Sequence, residues 1–276
     1  MSLSRRLAAS ALLLGAAMAL TSCSGNKPGG QAGPGTPTKK GGRRIVFIFK
    51  SAGQYAEACK KGQAQADQEL SPKGTRVEFL APDTADVSKQ IAMMEQQIAA
   101  KADAIVISPN DDKAITHIVE KAIDSGVKVF TWDSDAPNSK RIFYVAAADD
   151  VQIGIDIAEA LAKDIGGKGK VAVMSGGRGA ANLNAHVDGI LQGLKKYPGI
   201  TVVQPILYND DSDVKARSMA TGTFLTTPDL AGFACANSPS PPAIGETLGR
   251  LNKIGKVKVW GLSLPSLTSS YLKSGA

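Results

Sequence analysis

Short hydrophobic runs alternate with longer amphipathic stretches from residue 45 to the end of the sequence. Runs of four or five consecutive hydrophobic residues, as at 45–49 and 104–107, predict strands that are buried on both faces. The stretches between the runs carry hydrophobic residues three or four positions apart, as at Ile91, Met94 and Ile98, which predicts amphipathic helices. The pattern therefore indicates alternating strands and helices.

Two series of such elements follow each other along the chain. The first predicts strands over 45–49, 77–80, 104–107, 127–130 and 142–145, with one helix ending at Leu70 and others over 87–100 and 111–124. The second predicts helices over 150–165, 182–196, 214–225 and 242–251, and strands over 171–174, 201–207, 231–235 and 257–260.

Alternation of this kind is typical of parallel sheets that carry helices on both faces. The two series are separated by a break near residues 146–150. The predicted fold class is therefore α/β, with two doubly wound parallel-sheet lobes joined by a hinge. We expect an N-terminal lobe over residues 43–147 and a C-terminal lobe over 148–276.

The first 22 residues have the pattern of an export signal. Two arginines precede a hydrophobic run over residues 7–20, which ends in Leu-Thr-Ser-Cys at Cys23. The run is short for a transmembrane helix, which needs about 20 residues, whereas a short hydrophobic run before small residues is typical of a signal peptide. Because its end resembles a bacterial lipobox, we expect residues 1–22 to be a lipoprotein signal peptide and Cys23 to be lipidated. An ordinary secretory signal with an incidental cysteine is the alternative.

The charge of the chain is concentrated in this leader and in the segment after it. Residues 23–42 are rich in Gly, Pro, Lys and Ser, which predicts a flexible linker after the lipidated cysteine. The formal net charge of +7 would by itself suggest a partner rich in phosphate. However, seven of the 32 basic residues and none of the 25 acidic ones lie in residues 1–44, so the lobes are neutral. We therefore expect no nucleic-acid partner.

Polar side chains follow the predicted strands at the ends where ligands bind in open α/β sheets. Carboxylates, amides and an aromatic ring together suit a sugar, which needs paired hydrogen bonds and a hydrophobic surface. These positions hold Lys50, Gln54 and Tyr55 after the first strand, Asp133 after the fourth, and Asn182, His186, Asn237 and Ser263 in the second series. Trp132 fits either core packing or stacking on a sugar.

Four segments together resemble the periplasmic sugar-binding proteins of ABC transporters, of the ribose-binding type (type I periplasmic binding proteins). They are IVFIFK at 45–50, KGQA at 61–64, TWDSD at 131–135 and GLS at 261–263. The lysine after the first strand and the Trp-Asp-Ser-Asp run are similar to the rhamnose- and autoinducer-binding branch. The resemblance covers the chain from residue 45 onward. It implies two lobes that close around a monosaccharide and deliver it to ABC permease subunits.

The resemblance also implies roles for individual residues. Lys50 and Tyr55 would line the first-lobe wall beside Gln54, and Asp133 would accept hydrogen bonds from sugar hydroxyls. In the second lobe, Asn237 matches an amide of the family, and Asn182 lies one helical turn before His186. Two positions depart from the pattern, because His186 stands where the family commonly has arginine and Ser263 where it usually has aspartate. Finally, the family's chain returns to the first lobe with a last strand and helix, whereas this sequence ends at Ala276, so we expect that return segment to be missing.

These observations predict a lipid-anchored, monomeric solute-binding protein that is exported to the periplasm or cell envelope. We expect a sugar, ABC permease subunits and the membrane as partners, and neither a cofactor nor a metal, since the sequence has no phosphate-binding loop, zinc-ligand spacing or nucleophile elbow. A disulfide between Cys59 and Cys235 would lock the hinge, so we expect two separate thiols. The alternatives are a sugar-sensing receptor that signals to a membrane kinase and an exported carbohydrate-active enzyme using Asp133 and Asp135.

Overall fold

A computed structural model describes residues 42–146 and 148–274 of the protein. The predicted signal peptide, the lipidation site Cys23 and the linker up to residue 41 lie outside the described residues. Two parallel β-sheets with their flanking helices form two α/β lobes, which confirms the predicted fold class. Among the helices of the described ranges, none has the length and hydrophobicity to span a membrane.

The first lobe is built around a five-stranded sheet in the order β2-β1-β3-β4-β5, with all pairs parallel. The order reverses between β1 and β3, so a crevice opens beyond their carboxyl ends. The elements are β1 (Arg43–Ile48), α1 (Gln54–Leu70), β2 (Thr75–Leu80), α2 (Val87–Ala99), β3 (Ala104–Ile107), α3 (Thr116–Asp124), β4 (Lys128–Trp132) and β5 (Tyr144–Val145), with a short 3-10 turn at Ser71–Lys73.

The second lobe repeats this winding around a four-stranded parallel sheet in the order β7-β6-β8-β9. Its switch point lies between β6 and β8. The elements are α4 (Asp150–Asp164), β6 (Lys168–Ser175), α5 (Ala181–Leu194), β7 (Gly199–Tyr208), α6 (Asp213–Thr226), β8 (Leu230–Cys235), α7 (Ser240–Arg250), β9 (Lys258–Gly261) and α8 (Pro265–Ser274).

Hydrophobic side chains on both faces of each sheet explain the continuous apolar runs in the sequence. Adjacent residues Val171 and Ala172 of β6 belong to different core clusters, one on each side of the second sheet. In the first lobe, Val46, Ile48 and Ile105 are fully buried. Burying each such side chain contributes roughly 1.5–3 kcal/mol, so the sheets hold the strand ends in fixed positions.

Polar side chains mark the starts of several helices. The Oδ1 atom of Asp86 accepts from the amide of Ser88 at 2.8 Å at the start of α2, and Asp149 accepts from the amide of Gln152 at 3.0 Å at the start of α4. Such caps satisfy amides that have no partner within the helix. Asp149 therefore fixes where α4 begins, directly after the connection between the lobes.

Helices α4 and α5 pack so closely that their backbones touch. A Cβ atom on Gly189 would overlap the carbonyl oxygen of Val151, and one on Gly154 would overlap that of His186. A Cβ on Gly193 would lie 2.6 Å from the side chain of Ala158. Only glycine allows this approach. Helix α4 is thereby held against the helix that carries Asn182 and His186.

The structure differs from the sequence prediction in three elements. Helix α3 begins at Thr116 and not at residue 111, because Asp111 accepts from the amides of Lys113 and Ala114 and residues 112–115 form turns. The strand predicted over 142–145 is reduced to β5. Helix α8 has no counterpart in the prediction, because its sequence carries little hydrophobic periodicity and it buries no residue. The expected absence of a return segment stays a prediction.

Candidate functional site

A cavity of about 560 Å³ lies between the two lobes, at the carboxyl ends of the strands. The first lobe contributes the segment after β1 and the residue after β4, and the second lobe contributes α5, α6, α7, α8 and the loops after β7, β8 and β9. Its polar and charged lining comprises Lys50, Ser51, Gln54, Tyr55 and Asp133 from the first lobe and Asn182, His186, Asp211, Asp213, Arg217, Asn237, Ser238, Glu246 and Tyr271 from the second. The sequence prediction named seven of these residues.

Lys50 lines this cavity and contacts residues of both lobes. Its Nζ atom lies 2.9 Å from Oδ2 of Asp133 in the first lobe and donates to Oδ1 of Asn182 in the second lobe at 2.8 Å. Lys50 is only 5% exposed. Because an unpaired buried ammonium is costly, these two partners stabilise Lys50 in the cleft.

Asp133 presents its carboxylate from a left-handed backbone conformation, with φ at 60°. Ser108 Oγ donates to its Oδ2 at 2.7 Å, and the Tyr144 hydroxyl donates to its carbonyl oxygen at 3.0 Å. Non-glycine residues adopt this conformation at a cost in free energy, so the surroundings of Asp133 must hold it there. The loop after β4 therefore aims one acceptor into the cleft.

His186 is buried in the second lobe with both ring nitrogens occupied. Its Nδ1 lies 2.9 Å from the carbonyl oxygen of Ala236, and its Nε2 lies 3.1 Å from Oδ1 of Asp150 at the start of α4. His186 therefore links the cavity wall to the beginning of α4.

Asn237 is oriented by a network of buried amides and hydroxyls behind the cavity. Its Nδ2 donates to Oδ1 of Asn209 and to Oδ1 of Asp211, both at 2.9 Å. Ser240 Oγ donates to Asn237 Oδ1, and Asn209 Nδ2 donates to Ser240 Oγ at 2.7 Å. This network holds the side chain of Asn237 in one orientation.

Sequence reasoning missed a group of charged residues that follow β7. Asp211 adopts φ of 56°, and burial raises the pKa of its carboxyl although the charge of Lys50 and the hydrogen bond from Asn237 oppose the shift. Farther along, Arg217 Nη1 lies 2.9 Å from Asp213 and 3.3 Å from Glu246. The signal was available, because Asn-Asp-Asp-Ser-Asp directly follows a strand of the parallel sheet.

The remaining predicted site residues lie at the margin of the cavity or outside its lining. Gln54 and Tyr55 start α1, and Tyr55 is 40% exposed; burial of the rest of its ring, together with the charge of Asp133, raises the pKa of its hydroxyl to about 12. The lining does not include Ser263, whose Oγ donates to the carbonyl oxygen of Ser238 at 2.9 Å. The lining contains the adjacent Leu262 instead.

Two neighbours of Asp133 take structural roles. Trp132 packs against Phe49 and Phe47, with ring centroids 5.2 and 5.7 Å apart, and it does not line the cavity. Asp135 is bound by Arg141 and Thr131. Burial alone would raise the pKa of Asp135, but these hydrogen bonds hold it below its usual value. Asp135 is therefore not paired with Asp133 across the cavity.

The described residues offer neither a metal-binding cluster nor a reactive cysteine. Within residues 42–146 and 148–274, no group of three or more His, Cys, Asp or Glu side chains is arranged to hold a metal ion. Cys59 and Cys235 are both free thiols, as predicted. Burial raises the pKa of Cys59 to about 11 and that of Cys235 even further, so neither is poised as a nucleophile.

Comparisons with known proteins find one family model and several relatives that are similar to this chain. A family model described as a periplasmic binding protein domain matches residues 45–276. The D-ribose/D-allose-binding protein of Pseudomonas aeruginosa is 27% identical over 277 residues, which cover 98% of this chain and 85% of that relative.

Solved structures that are similar to this chain are also binding proteins. A solute-binding protein of an ABC transporter from Burkholderia graminis, in complex with D-arabinose, is 33% identical with a TM-score of 0.76, over 84% of this chain and 80% of that one. Another from Clostridium phytofermentas, with bound L-rhamnose, is 26% identical with a TM-score of 0.78, over 83% of this chain and 71% of that one. All three are similar to this chain over most of its length.

Proposed function

Because the chain belongs to the periplasmic binding protein domain family, we propose that it captures a monosaccharide between its lobes and delivers it to an ABC-type importer. Like its relatives, it is a binding protein and not an enzyme. The observation that carries the proposal is the contact of Lys50 with Asp133 in one lobe and with Asn182 in the other. A ligand bound there touches both lobes at once.

The cavity suits a monosaccharide in size and chemistry. A volume of about 560 Å³ lies within the usual range of roughly 300–1,000 Å³ for small-molecule sites. Sugar hydroxyls both donate and accept, and the cavity offers a donor at Lys50, an acceptor at Asp133 and an amide at Asn237. No bond needs to be broken, because differential binding to the closed form is sufficient to shift the lobes from open to closed.

Isothermal titration calorimetry with a panel of neutral pentoses and hexoses, including D-ribose, D-arabinose and L-rhamnose, tests the proposal. We expect at least one sugar to bind with one-to-one stoichiometry, and chromatography to recover it unchanged. Absence of binding across the panel would refute sugar capture. Conversion of a bound sugar would favour the carbohydrate-active enzyme instead.

We also propose that the protein is exported, lipid-anchored through Cys23 and monomeric. The leader over residues 1–22 and the linker up to residue 42 support the anchor. Labelling cells with a fatty acid should modify the wild type but not the Cys23→Ser variant, and the variant should leave the membrane fraction. An unlabelled wild type would contradict the anchor, and a dimer in light scattering would contradict the monomer.

A further inference from the structure

The charged residues that line the cavity are unequally paired. The acidic ones are Asp133, Asp211, Asp213 and Glu246, and the basic ones are Lys50 and Arg217. Lys50 is committed to Asp133 at 2.9 Å, and Arg217 contacts both Asp213 and Glu246. Glu246 is also bound by Arg250. Each of these three carboxylates therefore has a cation of its own.

Asp211 is the exception. Within the described ranges 42–146 and 148–274 it forms no ion pair, and it accepts one hydrogen bond, from Nδ2 of Asn237 at 2.9 Å. Its Oδ1 packs so closely on Gly176 that a Cβ there would overlap it. Burial raises the pKa of this carboxyl, although the charge of Lys50 and the hydrogen bond from Asn237 oppose the shift.

A partly buried carboxylate that forms no ion pair raises the free energy of the ligand-free site. A hydroxyl group of a ligand relieves this only by donating a hydrogen bond. A protonated amine supplies both the hydrogen bond and the missing charge, and charge-assisted hydrogen bonds are about twice as strong as neutral ones. An anionic group near Asp211 would instead add repulsion.

We infer that Asp211 sets the charge preference of the cleft, so that the site favours a sugar or polyol carrying a protonated amine over its neutral parent and rejects anionic sugars such as uronates and sugar phosphates. This inference rests on the proposed function and deepens it. Asp211 acts here as a specificity-determining residue that contacts the ligand directly.

Calorimetry at neutral pH with three groups of probes tests the inference. The neutral group is the sugar panel above, the amine group is D-glucosamine, D-galactosamine and D-mannosamine, and the anionic group is D-glucuronate, D-galacturonate and D-ribose 5-phosphate. In the wild type we expect at least one amino sugar to bind at least about tenfold more tightly than its neutral parent, since a tenfold change corresponds to about 1.4 kcal/mol. We expect no anionic probe to bind comparably.

Asp211→Asn keeps the shape and removes the charge, and asparagine tolerates the left-handed conformation of this position. It should weaken amino-sugar binding at least about tenfold while neutral sugars change less than about threefold. Asp210→Asn is the matched control, because the adjacent Asp210 also has positive φ (51°) but pairs with Lys215 and does not line the cavity. It should change neither affinity.

The outcomes separate the two proposals. If neutral sugars bind but no amino sugar binds more tightly, or if Asp211→Asn leaves the ratio of amino to neutral affinity unchanged, the inference is overturned and the proposed function stands. If no probe binds, both are overturned. Should Asp211→Asn fail to fold, the wild-type ratio alone still decides the charge preference.

Discussion

Replacing Lys50 by methionine tests whether one buried cation holds the lobes and the site together. Methionine keeps most of the side-chain length but removes the ammonium. Asp133, with 17% of its side chain exposed, would keep only the hydrogen bond from Ser108 at its Oδ2, and Asn182 would lose its donor across the cleft. The carboxylate would then be partly buried with no neighbouring cation.

Breaking a fully buried pair by removing one partner costs about 3–5 kcal/mol. Asp133 is partly exposed and its loop can relax toward water, so we expect a smaller loss of about 2–3 kcal/mol in the free energy of unfolding. For a chain of this size, each kcal/mol lowers Tm by about 2–4 °C. Lys50→Met should also weaken sugar binding at least about tenfold, because the cavity loses the hydrogen-bond donor of Lys50.

Urea denaturation followed by circular dichroism measures the loss, and a double-mutant cycle with Asp133→Asn isolates the pair. The double variant should be more stable than the two single losses added together, because neither buried charge then lacks a partner. Lys60→Met is the control, since Lys60 pairs with Glu57 on the surface with 43% of its side chain exposed. If Lys50→Met costs no more than Lys60→Met, or if the cycle is additive, the central role of Lys50 is wrong.

Further predictions address packing, the cleft rim and acid stability. In Gly189→Ala the new Cβ would overlap the carbonyl oxygen of Val151, so urea denaturation should show a loss of about 1–3 kcal/mol in the free energy of unfolding. The control is Gly222→Ala in α6, where no atom lies within 4 Å of the new Cβ, and it should be neutral or stabilise the protein by up to about 1 kcal/mol. Equal effects of the two variants would refute backbone contact between α4 and α5. Gly179→Ala would place a Cβ 2.5 Å from Oδ2 of Asp111, which belongs to the other lobe, so calorimetry should show weaker sugar binding while the circular dichroism spectrum stays unchanged. The control is Gly177→Ala, where no atom lies within 4 Å of the new Cβ, and this variant should bind sugar as the wild type does. The pKa of Asp135 is lower in the folded state than its usual 3.8, so the stabilising contribution of this carboxylate is present above pH 3.8 and is lost as the pH falls below that value. Asp135→Asn should therefore show a smaller fall of Tm in this acid range than the wild type. The same dependence of Tm on pH in both proteins would contradict the shift.

The fold could be predicted from the sequence because both sheets are buried on two faces. A strand buried on two faces consists of consecutive hydrophobic residues, and β3 accordingly occupies the predicted residues 104–107. Helix α8 could not be found in this way, because an element that buries no residue has no hydrophobic face to reveal it. The start of α3 was misplaced for a different reason, since Asp111 caps a turn with the same side chain that would cap a helix.

The site was predictable in part because a topological rule directs attention to the carboxyl ends of parallel strands. By that rule the sequence alone assigns Lys50, Asp133 and Asn182 to the same cleft. Their mutual contact could not be predicted, because it depends on how the lobes face each other, which hydrophobic periodicity does not encode. Asp211 was missed although it follows a strand, and Ser263 was named although a backbone carbonyl engages its hydroxyl.

The contact between the backbones of α4 and α5 has a mechanical consequence. Helix α4 begins at the connection between the lobes, spans about 22 Å over its 15 residues, and leaves no side-chain layer between itself and α5. Because the two backbones are in direct contact, α4 cannot slide past α5. Any rotation of α4 about its first residue therefore also rotates α5. Asn182 and His186, which line the cavity from α5, are therefore held in fixed positions relative to α4.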